Sequence, residues 1–416
     1  MFTPKWKKEA KLLYKGAKKF IHYKRDLLKE DRIEEIESRR ADLMEAVKVD
    51  DKARAEEASK QLRDTCEKAL PRFPQQNIWE ENVEVIFVAL VVALGLRAYV
   101  VQPFRIPTNS MMPTLNGINI ESKGPDFKEP WFGQKAIDFV LRGTSYADIV
   151  AKNDCKVAGM RDTSWFLFTS TEVSFNDGTT VKVAAPDGET ARAMGASSSV
   201  DLRQKVFKKG ETILHGPVNA GDLVLVDKIS YHFRRPKRGE VFVFDTRGIL
   251  TGGRRNGPMG EQEGTHFIKR LCGLPGDTLS ITPADNQGNK GTLWVNGKIA
   301  QEPGIQRVIQ SEGRYGELNP RGYENADPRS VGTHPCPLLH PGQEFHLANL
   351  DDLKEKARLT GGEPATSTMR EYAALGDNTG NSLDSRYWGS VKEFNLAGPA
   401  LFSLWPFTSG HWGFIR

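Results

Sequence analysis

Three short islands of the sequence carry side chains suited to nucleophilic catalysis. Residues 108–115 (TNSMMPTL) place Ser110 among apolar neighbours, and residues 266–277 (HFIKRLCGLPGD) contain Lys269. A third island, residues 376–389, is rich in Gly, Asp, Asn and Ser. Because the first island begins just beyond a long hydrophobic segment, it predicts a nucleophile that meets its substrate at a membrane surface.

Lys269 is the better candidate for the base that Ser110 requires. A serine hydroxyl is a poor nucleophile near neutral pH and needs a base within hydrogen-bond reach. The histidines of the chain do not lie in neighbourhoods typical of a Ser-His-Asp site, although geometry rather than sequence order decides such sites. The apolar residues Phe267 and Ile268 are expected to desolvate the Lys269 ammonium and lower its pKa. A neutral amine then takes the proton of Ser110 and returns it to the leaving amine.

In this order the three islands resemble the bacterial type I signal peptidases, which are membrane-anchored serine–lysine proteases. The resemblance implies that Ser110 is the nucleophile, that Lys269 is the general base and that Ser382 orients the lysine. It also implies an oxyanion hole made by the N–H of Ser110 and the hydroxyl of Thr108, where the family usually has serine. Shallow pockets for small residues at positions −3 and −1 of a signal peptide are expected to be lined by Phe104, Ile106, Pro107, Met111, Leu115, Phe267 and Ile268.

The third island departs from the family pattern. Thr379 and Gly380 stand where Arg and Asp are usual, so the sequence lacks the arginine expected to pair with Asp377. We therefore expect a looser loop around Ser382, whose neighbourhood is also typical of a simple turn. The residues expected to build this loop are Gly376, Asp377, Asn378, Asp384 and Arg386, the last two as a local ion pair.

Asn109 replaces the glycine that is usual before the nucleophile. Asn tolerates a positive φ better than most residues, so the turn is expected to survive.

One membrane-spanning helix is predicted at residues 83–101. Residues 85–96 are uninterrupted in apolar character, and Arg97 is suited to snorkel toward an interface. The alternative is a buried core helix. Ten Lys and Arg against three acidic residues in the first thirty positions predict a cytoplasmic N-terminus and lipid contact. The catalytic region is then extracytoplasmic, at a bacterial inner membrane. No aromatic-rich nucleic-acid module accompanies the basic cluster.

The remaining sequence predicts a mainly β protein with three parts. Residues 1–82 are a charged cytoplasmic helical region, and residues 102–416 are a signal-peptidase-like antiparallel β catalytic domain with insertions at about 116–220 and 300–370. The first insertion is expected to be β-rich and the second to decorate the surface. Strands are predicted at 222–227 and 240–244, and a hairpin through Asn296-Gly297.

The charged region before the span is expected to be helical from residue 26 to about residue 70. Its apolar stripe fits a short coiled coil or a helical hairpin, but the favoured interpretation is a solvated helix. The stripe consists of Ile33, Ile36, Leu43 and Val47.

The four cysteines show no zinc-ligand spacing, and no metal or cofactor is expected. Cys66 is expected to be a free thiol on the cytoplasmic side. Cys155, Cys272 and Cys336 are an odd number on the other side; a Cys155–Cys336 disulfide is conceivable, but the sequence does not establish it.

Together these features favour a membrane-bound serine endopeptidase that removes signal peptides from exported preproteins. One alternative is a serine–lysine protease dedicated to a single surface-protein client, with the insertions as recognition modules. Another is a non-catalytic tether that joins a cytoplasmic partner of residues 1–80 to an extracytoplasmic β domain.

Overall fold

The computed structural model describes residues 4–69, 78–124, 126–165, 168–196, 200–249, 265–327, 337–338, 340–360 and 369–415. The chain forms two compact units, residues 1–90 and residues 91–416. Cys66, Cys155 and Cys272 are free thiols. Cys336 lies outside the described residues, and with it the conceivable Cys155–Cys336 disulfide.

The helices and strands follow one another along both units. The helices are α1 Lys5–Lys24, α2 Glu30–Lys48, α3 Lys52–Ala69, α4 Ile78–Tyr99, α5 Phe132–Ile137, α6 Asp187–Ala193, α7 Ser230–Phe233, α8 Pro303–Gln310, α9 Arg314–Leu318, α10 Leu350–Thr360 and α11 Ser385–Trp388. The strands are β1 Val101–Arg105, β2 Asn119–Ile120, β3 Thr144–Val150, β4 Cys155–Asp162, β5 Thr171–Phe175, β6 Thr180–Val183, β7 Val206–Phe207, β8 Thr212–Asn219, β9 Leu223–Asp227, β10 Val241–Asp245, β11 His266–Gly273, β12 Thr278–Thr282, β13 Thr292–Val295, β14 Lys298–Ile299, β15 Phe345–His346, β16 Glu371–Leu375, β17 Val391–Lys392, β18 Leu396–Trp405 and β19 Gly413–Phe414.

The first unit contains a bundle of α1, α2 and α3 around a shared core. Ile36, Leu43 and Leu62 are fully buried there. The favoured prediction of a single solvated helix is therefore wrong, and the hairpin alternative is correct for α2 and α3. The sequence pattern understated this core because six of its buried positions are alanines, which pack closely but do not mark a conspicuous apolar stripe: Ala10, Ala17, Ala46, Ala55, Ala58 and Ala69.

Helix α4 is the one helix in the described part of the chain that is long and apolar enough to cross a membrane. Its 22 residues extend over about 33 Å at the usual rise per residue. None of the candidate span, Glu81–Tyr99, is buried inside the protein. A core helix would be covered by other elements, so the exposed surface favours the membrane-spanning prediction over the buried alternative.

The second unit is built on an eight-stranded antiparallel sheet. Its strand order is β1-β9-β18-β10-β11-β16-β17, with β19 beside β18. Strands β9 and β10 match the predicted strands, and the hairpin β13–β14 turns through Asn296 and Gly297, both with positive φ. The prediction of a mainly β domain with antiparallel sheets is confirmed.

The first insertion adds two further sheets, with the orders β2-β8-β3 and β6-β5-β4-β7. They enclose a separate hydrophobic core in which Val173 and Phe207 are fully buried. The β-rich prediction for this interval is confirmed.

The second insertion is only partly a surface decoration. Helix α8 packs against the sheet β14-β13-β12-β15 with Ile305 and Val308 fully buried, and Tyr323 is buried in the same core. The surface prediction is therefore wrong for residues 303–327. The apolar side chains of α8 recur at helical spacing, which lets this polar-looking segment cover part of the core.

Leu43→Ala is expected to lower the free energy of unfolding of residues 1–69 by about 2–5 kcal/mol, because it opens a cavity in the bundle core. Urea unfolding followed by circular dichroism measures the change. Leu12→Ala is the matched control, since Leu12 is 73% exposed, and it is expected to change stability by no more than about 0.5 kcal/mol. Equal effects of the two substitutions would contradict the shared core.

Candidate active site

Ser110 lies in a tight turn directly after the edge strand of the main sheet. Strand β1 pairs with β9, and a short 3₁₀ turn at Asn109–Met111 follows it. Asn109 does not have a positive φ; its side chain instead accepts a hydrogen bond from the backbone N–H of Gly117 at 3.1 Å. The turn therefore does not need the conformational freedom of the glycine that Asn109 replaces, and it leaves Ser110 only 5% exposed.

Strand β11 brings Lys269 to this serine from 159 residues away in the chain. Lys269 Nζ lies 2.5 Å from Ser110 Oγ and 3.2 Å from the carbonyl oxygen of Ile268. In the ladder, Lys269 is opposite the fully buried Phe242 of β10. The pairing of β11 with β10 in the antiparallel sheet therefore fixes the position of the Lys269 amine relative to the Ser110 hydroxyl.

Burial lowers the pKa of Lys269 to about 8. Asp384 and Asp377 act against this shift, whereas Arg386 supports it. The desolvation predicted from the apolar neighbours is thus the main cause of the lowered pKa. A lysine with such a pKa is partly neutral near pH 8 and is then able to accept a proton.

Thr108 and Ser382 line the same groove as Ser110 and Lys269. Thr108 Oγ1 is 3.4 Å from Ser110 Oγ. Ser382 is buried, but its Oγ has no hydrogen-bond partner, so the structure contains no bond from it to Lys269. Gly376 permits the close packing here, since a Cβ at that position would lie 2.1 Å from Ser382 Oγ and 2.6 Å from the carbonyl oxygen of Ser110.

A groove of about 830 Å³ opens beside Ser110 and Lys269. Five of the predicted pocket residues line it: Phe104, Ile106, Pro107, Phe267 and Ile268. Met111 and Leu115 do not, because the 3₁₀ turn directs them into the core with Val224 and Val241, where they are fully buried.

The first insertion forms one wall of the same groove. Asp162, Ser164, Thr169 and residues 186–189 face it from the insertion. Sequence reasoning missed these residues because nothing local in the insertion indicates that it folds back over the catalytic islands. From the main sheet and the third island it also missed Val243, His266, Asn381, Leu383 and Tyr387.

The chain matches the sequence model of the family described as signal peptidase, peptidase S26, over residues 79–131 and 214–405. These residues make up more than half of the chain and contain both Ser110 and Lys269. The chain belongs to this family. The match omits residues 132–213, which form most of the first insertion.

Individual members of the family are similar over their shared region. Signal peptidase I of Leptolyngbya laminosa is 29% identical over 189 residues, which cover 45% of this chain and 63% of the relative. Signal peptidase I of Pseudomonas aeruginosa is 28% identical over 203 residues, which cover 45% and 60%. The chain thus spans less than two thirds of the length of these relatives. A crystal structure of a signal peptidase I from Enterococcus faecalis aligns with 40% of this chain and 97% of its own at 21% identity, with a TM-score of 0.20.

Asp377 has an arginine partner after all, although Thr379 replaces the one that the family pattern predicts. Arg270, the residue after Lys269, donates from Nε and Nη2 to the two carboxylate oxygens of Asp377 at 2.7 and 2.6 Å. Both side chains are fully buried. Thr114 donates to the same carboxylate and also accepts from Arg270 at 3.2 Å. The expectation that Asp377 lacks an arginine is wrong.

Asn319 holds the loop where Thr379 and Gly380 differ from the family pattern. Its Nδ2 donates to the carbonyl oxygen of Asp377 at 2.8 Å, and its Oδ1 accepts from the backbone N–H of Thr379 at 2.7 Å. The hydroxyl of Thr379 donates to the carbonyl oxygen of Gly322 at 2.8 Å. The expected looser loop is therefore not observed. No sequence signal identifies Asn319, which lies in the second insertion.

Asp384 and Arg386 form a second buried, bidentate ion pair, with both contacts at 2.8 Å. Arg386 Nη2 also donates to the carbonyl oxygens of Thr379 and Ser382, at 2.8 and 3.1 Å. Asp384 in turn accepts from the backbone N–H of Gly376 at 3.0 Å. The pair therefore ties both ends of the loop that carries Ser382.

One group of possible metal ligands occurs among the described residues. Glu129, Asp148 and His215 place their ligand atoms within 4.8 Å of one another. His215 bonds to the carbonyl oxygen of Phe127 and to Asp148, and Lys135 pairs with Glu129. Protein groups thus satisfy this cluster, and it lies in the first insertion rather than at Ser110.

Asn319→Leu is expected to lower the free energy of unfolding by roughly 2–6 kcal/mol, because it leaves two buried backbone groups without partners. It should also reduce cleavage of a model peptide by displacing the loop of Ser382. Asn325→Leu is the matched control, because the bonds of Asn325 among the described residues go to the carbonyl oxygens of Leu338 and His340, in the second insertion. Denaturant unfolding and peptide cleavage test both variants, and equal losses of activity would contradict the positioning role of Asn319.

Proposed function

We propose that this chain is a membrane-bound endopeptidase that removes N-terminal signal peptides from exported preproteins. The observation that carries the proposal is the 2.5 Å contact between Lys269 Nζ and Ser110 Oγ in a buried site beside an open groove. Membership of the signal peptidase family supports the substrate class. The nearby hydroxyls and the depressed pKa of Lys269 support a serine–lysine mechanism.

The first half-reaction forms an acyl-enzyme. Neutral Lys269 takes the proton from Ser110 as Oγ attacks the scissile carbonyl carbon. The N–H of Ser110 and the hydroxyl of Thr108 donate to the oxyanion that develops, and loss of one such donor typically costs about 10²–10³ in rate. The ammonium of Lys269 then gives its proton to the leaving amine, and the peptide bond breaks.

Water completes the reaction. Lys269, neutral again, takes a proton from a water molecule that attacks the acyl carbon, and the proton passes to Ser110 Oγ as the ester bond breaks. Ser382 has a buried hydroxyl without a partner beside this site. We propose that it accepts from the ammonium of Lys269 during the cycle and so keeps the amine aimed at Ser110.

The groove suits an extended peptide with small side chains next to the cleaved bond. Strand β1 lies at an edge of the main sheet and is followed directly by the segment that lines the groove. Main-chain pairing of a peptide with such an edge is a common mode of recognition. Phe104, Ile106 and Ile268 then present an apolar surface to positions −3 and −1, where bulky residues are excluded.

The proposed location is the bacterial inner membrane, with α4 as the single span. The basic N-terminal residues favour a cytoplasmic position for residues 1–82 and an extracytoplasmic position for the catalytic domain. This orientation places Ser110 on the side where exported preproteins emerge.

A protease dedicated to one client is the second candidate, and the groove wall from the first insertion favours it. Asp162 and Asp187 face the groove from a part of the chain that the family match omits. Cleavage of several unrelated preproteins at similar rates would exclude this candidate, whereas cleavage of only one would support it.

Lys269→Ala is expected to lower cleavage of a model preprotein by at least about 10³-fold, because Ser110 loses its base. The assay uses detergent-solubilised protein, and mass spectrometry maps the cut, which should follow a small residue. Lys237→Ala is the control, since Lys237 is an exposed lysine in the loop before β10. Undiminished cleavage by folded Lys269→Ala would remove the lysine from the mechanism. Absence of cleavage by folded wild type would contradict general signal-peptide removal and would favour the dedicated protease or a non-catalytic tether.

Activity is expected to rise with pH through the pKa of Lys269, which is about 8. Activity rises rather than falls with pH because Lys269 acts as a base. Only the neutral amine accepts the proton, and the neutral form dominates above the pKa. The cleavage rate should increase about tenfold per pH unit between pH 6 and 7 and level off above about pH 9. Circular dichroism at each pH separates this effect from unfolding. A flat profile from pH 6 to 9 would contradict the assignment.

A further inference from the structure

Helix α1 presents a stripe of five lysines on one face. Lys8, Lys11, Lys15, Lys18 and Lys19 recur at helical spacing, and all five are exposed. Residues three and four apart lie above one another on a helix, so the stripe is continuous over about 17 Å. We call these five residues the lysine stripe.

The opposite face of α1 is already occupied. Ala10, Ala17 and Ile21 are buried in the core of the three-helix bundle. The stripe therefore points away from α2 and α3, and the apolar residues of α1 are not free to insert elsewhere.

The lysine stripe is not neutralised within the bundle. In the described part of the chain, the ion pairs of α1 join Lys5 to Glu9 and Lys7 to Asp50, and none involves the stripe. Five like charges along one face repel one another, and a partner with dense negative charge relieves that repulsion.

We propose that the lysine stripe binds the anionic headgroups of the membrane that α4 crosses. The inference rests on the proposed membrane crossing but not on the proteolytic reaction. Lysines near a leaflet rich in anionic lipid are attracted to it within about one Debye length. Only eight residues, 70–77, join α3 to α4, so the end of α3 stays within about 30 Å of the start of the span. This tether keeps the stripe at a high effective concentration near the headgroups.

The contact is electrostatic rather than inserted. The core-facing apolar residues are used in the bundle, and the exposed apolar side chains on α1 near the stripe are Leu12 and Tyr23. Binding should therefore weaken steeply as the salt concentration rises.

The test uses the full chain in nanodiscs, where both membrane faces are accessible. Lysine acetylation by a water-soluble reagent is followed residue by residue with mass spectrometry, in discs of phosphatidylcholine alone and in discs with about 30% phosphatidylglycerol. We expect the stripe to react about 3–10-fold more slowly in the anionic discs, and 0.5 M NaCl to remove the difference. Lys48, Lys52 and Lys60, exposed on α2 and α3, are internal controls and should react equally in both.

Equal labelling of the stripe in the two discs would overturn the proposal, as would equal protection of the control lysines. Protection by duplex DNA in discs without anionic lipid, with none from phosphatidylglycerol, would overturn it in favour of a nucleic-acid partner. A variant with all five stripe lysines changed to Gln should still cleave a model preprotein in the same discs. Absence of cleavage of the model preprotein by the wild type would contradict the proposed signal-peptide removal and leave the lipid contact standing.

Discussion

The site depends on keeping Lys269 buried without giving it a counter-ion. Two buried carboxylates, Asp377 and Asp384, raise the pKa of the lysine. Each is held bidentately by an arginine, Arg270 for the first and Arg386 for the second. Because each carboxylate is paired with an arginine, neither carboxylate is free to bind the Lys269 ammonium. Desolvation therefore remains the dominant influence on the pKa of the lysine. Removal of either arginine would leave a buried carboxylate to stabilise the charged form.

The same two ion pairs also position the loop beside Ser110. Asp377 connects the third island to Thr114, four residues after Ser110, and Asp384 joins the two ends of the loop that carries Ser382 by accepting from the N–H of Gly376. The backbone N–H of Asn378 donates to the carbonyl oxygen of Ser110 at 3.0 Å. The same contacts therefore neutralise the two carboxylates and hold the loop, and they are present although Thr379 and Gly380 replace the residues of the family pattern.

The two insertions act on the site in different ways. The second insertion stabilises the site through two contacts. Asn319 bonds to the loop at Asp377, and Tyr315 bonds to Thr114. The first insertion borders the groove that opens beside Ser110. The family match omits most of the first insertion but includes the second, so the residues of the groove wall that come from residues 132–213 lie outside the matched family pattern.

Local patterns in the sequence determined the long apolar helix α4, strands β9 and β10, the Asn296-Gly297 hairpin and the resemblance to the family, because hydrophobic runs and turn residues act over short distances. They also identified the residue types of Ser110 and Lys269 and the desolvation of the lysine by its neighbours. Only the tertiary structure decided that these two side chains meet, that Met111 and Leu115 point into the core, and that Arg270 is the partner of Asp377. It also decided that alanine-lined helices form a bundle and that Asn319 reaches the third island. These outcomes depend on packing between segments that are far apart in the chain. A local sequence pattern does not encode the energy of that packing.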